Sequence, residues 1–160
     1  MLEEKQLQWV NETLEKVEQK LEKVSMRSAE KIPYTTVNGI HDDKSGAEAI
    51  GWWTNGFWGG IMWQMYALTG KEQYKTIAEK NEEKLDVSFM NYDAMDHDNG
   101  FKWLPTAVAN YRVTGNKASR NRGMLAATVL AGRYNCAGKY IRAWNDWTED
   151  NRDHRGWAII

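Results

Sequence analysis

Leu7, Val10, Leu14, Val17, Leu21 and Val24 recur at alternating spacings of three and four through an otherwise charged stretch. That spacing predicts an amphipathic helix over residues 2–30. The same stripe suits a coiled-coil seam or the outer helix of a larger all-α fold, and only sustained heptads with matched flanking charges would favour the seam. Residues 32–54 break the helical pattern. Pro33, Gly39, Gly46 and Gly51 punctuate them, and Asp42-Asp43-Lys44-Ser45-Gly46 reads as a turn. A connection of that length inside a compact chain is usually functional.

A repeat then emerges. Asn55-Gly56-Phe57 opens an apolar helix (58–68), Thr69-Gly70 ends it, and a charged helix runs from Lys71 to about Phe89. Asn99-Gly100-Phe101 opens a second helix (102–113), Thr114-Gly115 ends it, and another helix runs from Asn116 to about Arg133. The offset is 44 residues between Asn55 and Asn99 and 45 between Tyr66 and Tyr111. Gly70 and Gly115 stand where a left-handed residue ends a helix, and Pro105 is placed in the first turn of its helix or just beyond. The chain thus reads as αα-hairpins over 57–89 and 101–133. Each has an inner helix apolar nearly all round and an amphipathic outer one. Repeated, this describes a toroid or a solenoid. A third opening, Arg155-Gly156-Trp157-Ala158-Ile159-Ile160, predicts a further inner helix beginning at Trp157, and residues 138–146 read as a short strand or an ordered loop. The whole of 1–160 is expected to form a single partial domain, with the loops at 52–57, 96–101 and 140–157 gathered at one end.

Composition narrows the function. Twenty-one basic residues against 22 acidic ones, with no basic block, leave no nucleic-acid footprint. Cys136 is the only cysteine, so no internal disulfide forms. The charged start lacks a signal-peptide core, and no run approaches the roughly 18 apolar residues of a membrane span. The expectation is a cytoplasmic protein engaging neither nucleic acid nor membrane. Nine tryptophans are many for this length; most serve packing, but indole faces also stack on sugars.

The chemistry concentrates at Asp96-His97-Asp98-Asn99-Gly100-Phe101, two carboxylates and an imidazole at a helix mouth. Asp98 reads equally as an N-cap or as a free carboxylate facing a cavity. A calcium loop is excluded by spacing, and no second histidine stands at metal-ligand distance. Arg142 is a candidate grip for a substrate carboxylate, or a surface arginine.

Trp53-Thr54-Asn55-Gly56-Phe57-Trp58, Asp96-His97-Asp98-Asn99-Gly100-Phe101, Ile141-Arg142-Ala143-Trp144-Asn145 and Gly156-Trp157-Ala158-Ile159-Ile160 occur in order. Together they resemble the unsaturated glucuronyl hydrolases, glycoside hydrolase family 88, from about Ile32 onward. The resemblance implies an all-α fold, a six-hairpin α/α toroid incomplete in this chain. It implies removal of the 4,5-unsaturated uronic acid that polysaccharide lyases leave at the non-reducing end of oligosaccharides. The chemistry differs from ordinary two-carboxylate glycosidic displacement: an aspartic acid protonates the vinyl ether, water adds at the neighbouring carbon, and the hemiketal opens. No cofactor or metal is implied.

By motif match Asp98 is one of two essential aspartates, with His97 beside it and Trp53 lining the sugar subsite. Asn55, Arg142 and Trp144 are the further substrate-binding candidates. The second aspartate, which carries the acid/base role in the family, directly follows the Gly-Trp-x-Ile-Ile run, which here ends at Ile160. The chain is therefore expected to be an N-terminal portion, inactive alone, with uncovered inner helices that self-associate. The alternatives are the related unsaturated rhamnogalacturonyl hydrolases and a non-catalytic helical-repeat binding module.

Overall fold

In the computed structural model, residues 3–144 and the backbone of 158–159 are described. Helix α1 spans Glu4–Arg27 and begins with a reciprocal cap in which the backbone N–H of Glu3 donates to the Gln6 side chain at 2.9 Å. Its apolar stripe is used at one end only. Leu21 and Val24 pack on the core, whereas Leu7, Leu14 and Val17 stay exposed. The long connection that follows contains a two-stranded hairpin, β1 (Thr36–Val37) against β2 (Ile40–His41). Asn38 and Gly39 turn it with φ of 51° and 75°, the backbone that favours an Asn-Gly pair in such turns.

The first αα-hairpin is α2 (Phe57–Thr69) and α3 (Glu72–Leu85), extended by a 3-10 turn over Asp86–Met90. Lys71 on its turn meets Glu18 at 2.9 Å and Glu22 at 3.2 Å on α1, and Lys80 on α3 pairs with Glu30. The second hairpin has an inner helix in three parts: α4 (Asn99–Trp103), a π-helical turn (Leu104–Val108) and α5 (Ala109–Thr114). Its outer helix is α6 (Lys117–Ala131).

The two hairpin turns are alike to the bond. The Gly70 N–H donates to Tyr66 O at 2.8 Å and the Gly115 N–H to Tyr111 O at 2.9 Å. The hydroxyls of Thr69 and Thr114 bond back to Met65 O and Asn110 O at 2.7 and 2.8 Å. Both glycines are left-handed, with φ of 69° and 75°.

The inner helices meet at their starts. A Cβ on Gly56 would lie 2.3 Å from Phe101 O and 2.7 Å from Lys102 Cα, so only glycine permits this approach. Two apolar clusters lie on either side. One contains Trp58, Met62, Trp63, Met65, Tyr74, Ile77 and Ala78. The other holds Ile32, Ile50, Leu85, Met95, Trp103, Ala107 and Ala126. A polar knot ties the two hairpins together. Buried Glu82 on α3 accepts from Asn110 Nδ2 at 2.8 Å and from Arg122 Nη1 at 2.9 Å. Arg122 also forks onto Asp86 with two bonds of 2.7 Å.

Pro105 lies just beyond the first turn, as expected, because the helix starts at Asn99; the missing N–H is absorbed by the π-helical turn. Two expectations change. Inner helix α2 is not buried all round: Trp58, Met62 and Trp63 are, but Ile61 and Leu68 are 40% and 63% exposed. The helix expected from Trp157 is not formed at Ala158–Ile159, which is strand β5, antiparallel to β4 (Tyr140–Arg142) with Arg142 opposite Ala158. The free edge of β4 offers those residues ladder bonds, and β-branched isoleucine suits a strand. Gly156, Trp157 and Ile160 lie outside the described residues. β3 (Tyr134–Asn135) pairs with the other edge of β4. Among the described residues no helix is long and apolar enough to cross a membrane.

Because Glu82 is buried, removing its cation strands a charge, which costs about 3 kcal/mol or more in such sites. Arg122→Met is expected to lower the unfolding free energy in urea by about that amount, and Glu82→Gln in the same chain to recover much of it. A single variant as stable as the parent would contradict the role of the knot.

Candidate functional site

A cavity of about 500 Å³ opens where the two inner helices begin. One wall is the end of the long connection, with Lys44, Glu48, Trp52 and Trp53. The facing wall is the segment leading into α4, with Asn91, Asp93, Asp96 and Asp98. Trp144, just after β4, completes the lining. Three expected site residues, Trp53, Asp98 and Trp144, thus converge here from separate parts of the chain.

Trp53 is held by the repeated Asn-Gly-Phe motif itself. Its ring meets Phe57 edge-on at 5.7 Å and Phe101 at 5.8 Å, and those two rings meet each other at 5.7 Å. Equivalent phenylalanines of the two repeats therefore buttress one side of the indole.

Asp98 occupies the N-cap position of α4, yet its side chain makes no capping bond. Its backbone N–H is taken by the Asp96 carboxylate at 2.9 Å, and its carbonyl accepts from the Phe101 N–H at 2.9 Å. The Asp98 carboxyl is left in the cavity wall with 19% of the side chain exposed. Burial raises its pKa above the ordinary aspartate range, and the charge of Asp96 adds to this, while His97 and Lys102 oppose it.

His97 is anchored twice to one carbonyl: its backbone N–H and its ring Nδ1 both lie 3.1 Å from Ala143 O. A carbonyl only accepts, so Nδ1 carries a proton and Nε2 is turned to Asp98 at 3.5 Å. The imidazole also stands edge-on to Trp144, with centroids 4.9 Å apart. Asp96, His97 and Asp98 each bring one ligand-type atom within 4.8 Å of the others, enough to touch a shared cation. Lys102 beneath them already supplies positive charge, which disfavours that use.

Two expected residues stand elsewhere. Asn55 is fully buried, and its amide donates to Ala49 O and Ile50 O, each at 2.9 Å. It closes the turn ahead of α2 from within and does not reach the cavity. Arg142 lies on β4 and does not line the cavity. The arginine that shapes the site is Arg133. Its guanidinium donates to Met95 O (3.0 Å), Arg142 O (2.7 Å) and Ala143 O (3.0 Å), so it staples the Trp144 segment to the Asp96 loop. Nothing in the sequence distinguishes Arg133 from any basic residue closing a helix. Lys102 was equally hidden: it is completely buried, and burial lowers its pKa against the opposing influence of Asp96 and Asp98. Trp52 and Asp96, by contrast, adjoin expected residues within the same motifs.

No family model matches the chain. An unsaturated chondroitin disaccharide hydrolase of Streptococcus pneumoniae is 37% identical over 95 residues, which are 59% of this chain and 24% of that protein. The crystal structure of an unsaturated glucuronyl hydrolase from Bacillus sp., responsible for the degradation of glycosaminoglycan, superposes with a TM-score of 0.67 at 26% identity, covering 89% of this chain and 36% of the other. A mutant of the Streptococcus agalactiae unsaturated glucuronyl hydrolase complexed with dGlcA-GalNAc6S superposes with a TM-score of 0.56 at 29% identity, covering 73% and 33%. The chain spans about a quarter of the length of the curated relatives it matches. Sequence and fold agree over that shared stretch: this chain is similar to part of the unsaturated glucuronyl hydrolases.

Proposed function

We propose that this cavity takes the 4,5-unsaturated uronic acid at the non-reducing end of lyase-generated oligosaccharides, as part of a glycoside hydrolase. The observation that carries this reading is Asp98: a helix-mouth carboxyl that declines to cap, is desolvated, and shares one cavity with three tryptophans. Indole faces suit the C–H face of a sugar ring. A carboxyl that stays protonated to higher pH than an ordinary aspartate meets an anionic uronate without adding full repulsion, and can keep a proton near the double bond. In the reaction a proton goes to C4, the oxygen of water goes to C5, and the resulting hemiketal opens, releasing the rest of the oligosaccharide. Asp98 is one carboxyl of the pair this needs. His97, its Nδ1 proton committed to Ala143, presents Nε2 to Asp98 and orients it. The 160-residue chain is proposed to bind such a substrate but to turn it over poorly.

The test is titration with an unsaturated chondroitin disaccharide, followed by tryptophan fluorescence, together with the absorbance of the double bond. Saturable quenching with turnover far below that of a full-length relative is expected. Trp53→Ala should weaken binding about tenfold, or ~1.4 kcal/mol, and Asp98→Asn should retain it. A chain that binds no disaccharide defeats the reading, and turnover near that of a full-length relative defeats the inactivity.

Asp98 also predicts a pH dependence. Its folded pKa is raised, so its contribution to stability is fully present below the ordinary aspartate value and is lost as pH rises through the raised one. Asp98→Asn removes that loss. The variant should melt above the parent at pH 7, with the gap closing as both are acidified below the usual aspartate range. A gap unchanged between pH 7 and pH 3 would contradict it.

The chain is further proposed to self-associate through apolar side chains exposed on the inner helices, Phe57, Ile61, Phe101 and Leu104. Light scattering should show mass rising with concentration; a monomer at high concentration would count against it.

A further inference from the structure

Lys102 is buried to zero exposure, and no carboxylate bonds it. Burying a charge without a bonded counter-charge is costly, so what its ammonium does bond deserves an account. It donates to Gly51 O at 3.3 Å and to Ala94 O. Gly51 leads directly into Trp52 and Trp53, and Ala94 leads into Asp96 and Asp98; both residues line the cavity. The two loops touch at this point, since a Cβ on Gly51 would fall 2.8 Å from Ala94 Cβ and 3.0 Å from Ala94 Cα. The ammonium therefore sits under the seam between the aromatic and acidic walls. Its stem rises from α4, the helix that Asp98 opens, and Nζ lies 5.3 Å from the Trp103 ring centroid in the core beneath.

We propose that Lys102 is a positioning residue: it clamps the Trp52–Trp53 loop to the Asp96–Asp98 loop and so sets the width of the cavity between them. The inference rests on reading this cavity as the sugar site, but the clamp itself is testable without a ligand. Methionine has nearly the length of lysine and fills the same volume, but it donates no hydrogen bond. Lys102→Met therefore leaves both carbonyls without their donor and frees each loop from the other, while the packing around Trp103 is kept.

The experiment is the indole N–H spectrum of the full 160-residue chain, 15N-labelled and free of ligand. In Lys102→Met the Trp52 and Trp53 signals should shift or broaden, while the signal of Trp63, in the other core cluster, stays in place. Such selectivity is not expected of general loosening. Trp52 and Trp53 signals that match the parent overturn the proposal, as does a change spread equally to Trp63. If Lys102→Met does not fold, Gly51→Ala decides: it keeps the lysine but forces the same seam apart, and parent-like Trp52 and Trp53 signals there overturn the proposal. Affinity for the unsaturated disaccharide should fall about tenfold in Lys102→Met, and equal affinity in variant and parent also overturns it. If the parent binds no disaccharide, the reading of the site fails, while the ligand-free spectra still decide the clamp.

Discussion

The arrangement of the two hairpins depends on one buried carboxylate. Glu82 sits on α3 with almost no exposure and draws two donors to itself, Asn110 from the inner helix of the second hairpin and Arg122 from its outer helix. Apolar packing is non-directional and would tolerate α3 sliding against the second hairpin. A buried charge is not so tolerant, because it must find its partners in the right geometry or be stranded. Arg122 binds Asp86 as well, which extends the tie to the 3-10 turn after α3. Three helices are thereby registered, and the start of α4 follows from them.

That register places the second helix mouth against the first. The contact of Gly56 with the backbone of Phe101 and Lys102 brings the repeated Asn-Gly-Phe motifs together, so each repeat supplies what the other lacks. The first contributes tryptophans and the second carboxylates. The phenylalanines of both repeats share one edge-on cluster under Trp53, which makes the aromatic wall a product of the repeat and not of either loop alone.

Local patterns made much of this legible. The Thr-Gly endings at Gly70 and Gly115 were readable because one residue type fits a left-handed cap, and the structure gives both the same bonds. Trp53, Asp98 and Trp144 line one cavity, where their motifs placed them together. Asn55 misled for a physical reason: an asparagine beside a helix start has the same appearance whether its amide faces a ligand or three backbone carbonyls. The strand hairpin at Thr36–His41 carried a readable signal, Asn38-Gly39 between Val37 and Ile40, but two-residue strands lie below the length at which alternation can be recognised. Arg133 and Lys102 were beyond reach, since their roles are defined by carbonyls far away in sequence, and backbone acceptors leave no trace in side-chain identity.

The electrostatics of the cavity bear on how it would meet the anionic sugar proposed for it. Among its described lining residues Lys44 is the cation, against Glu48, Asp93, Asp96 and Asp98. Lys44 itself is shared with Asp42 at 3.8 Å and with the Tyr34 ring at 5.5 Å. A uronate entering such a site meets repulsion that grows as water is expelled. Two features moderate it. Asp98 is desolvated, so it gives up its charge more readily than an ordinary aspartate. Lys102 places a positive charge behind the acidic wall, where it acts on Asp96 and Asp98 without being neutralised by a direct bond to either. Desolvation of Asp98 favours its proton and the charge of Lys102 opposes it, so the buried lysine limits how far the Asp98 pKa climbs. The result is a carboxyl that keeps its proton to higher pH than an ordinary aspartate.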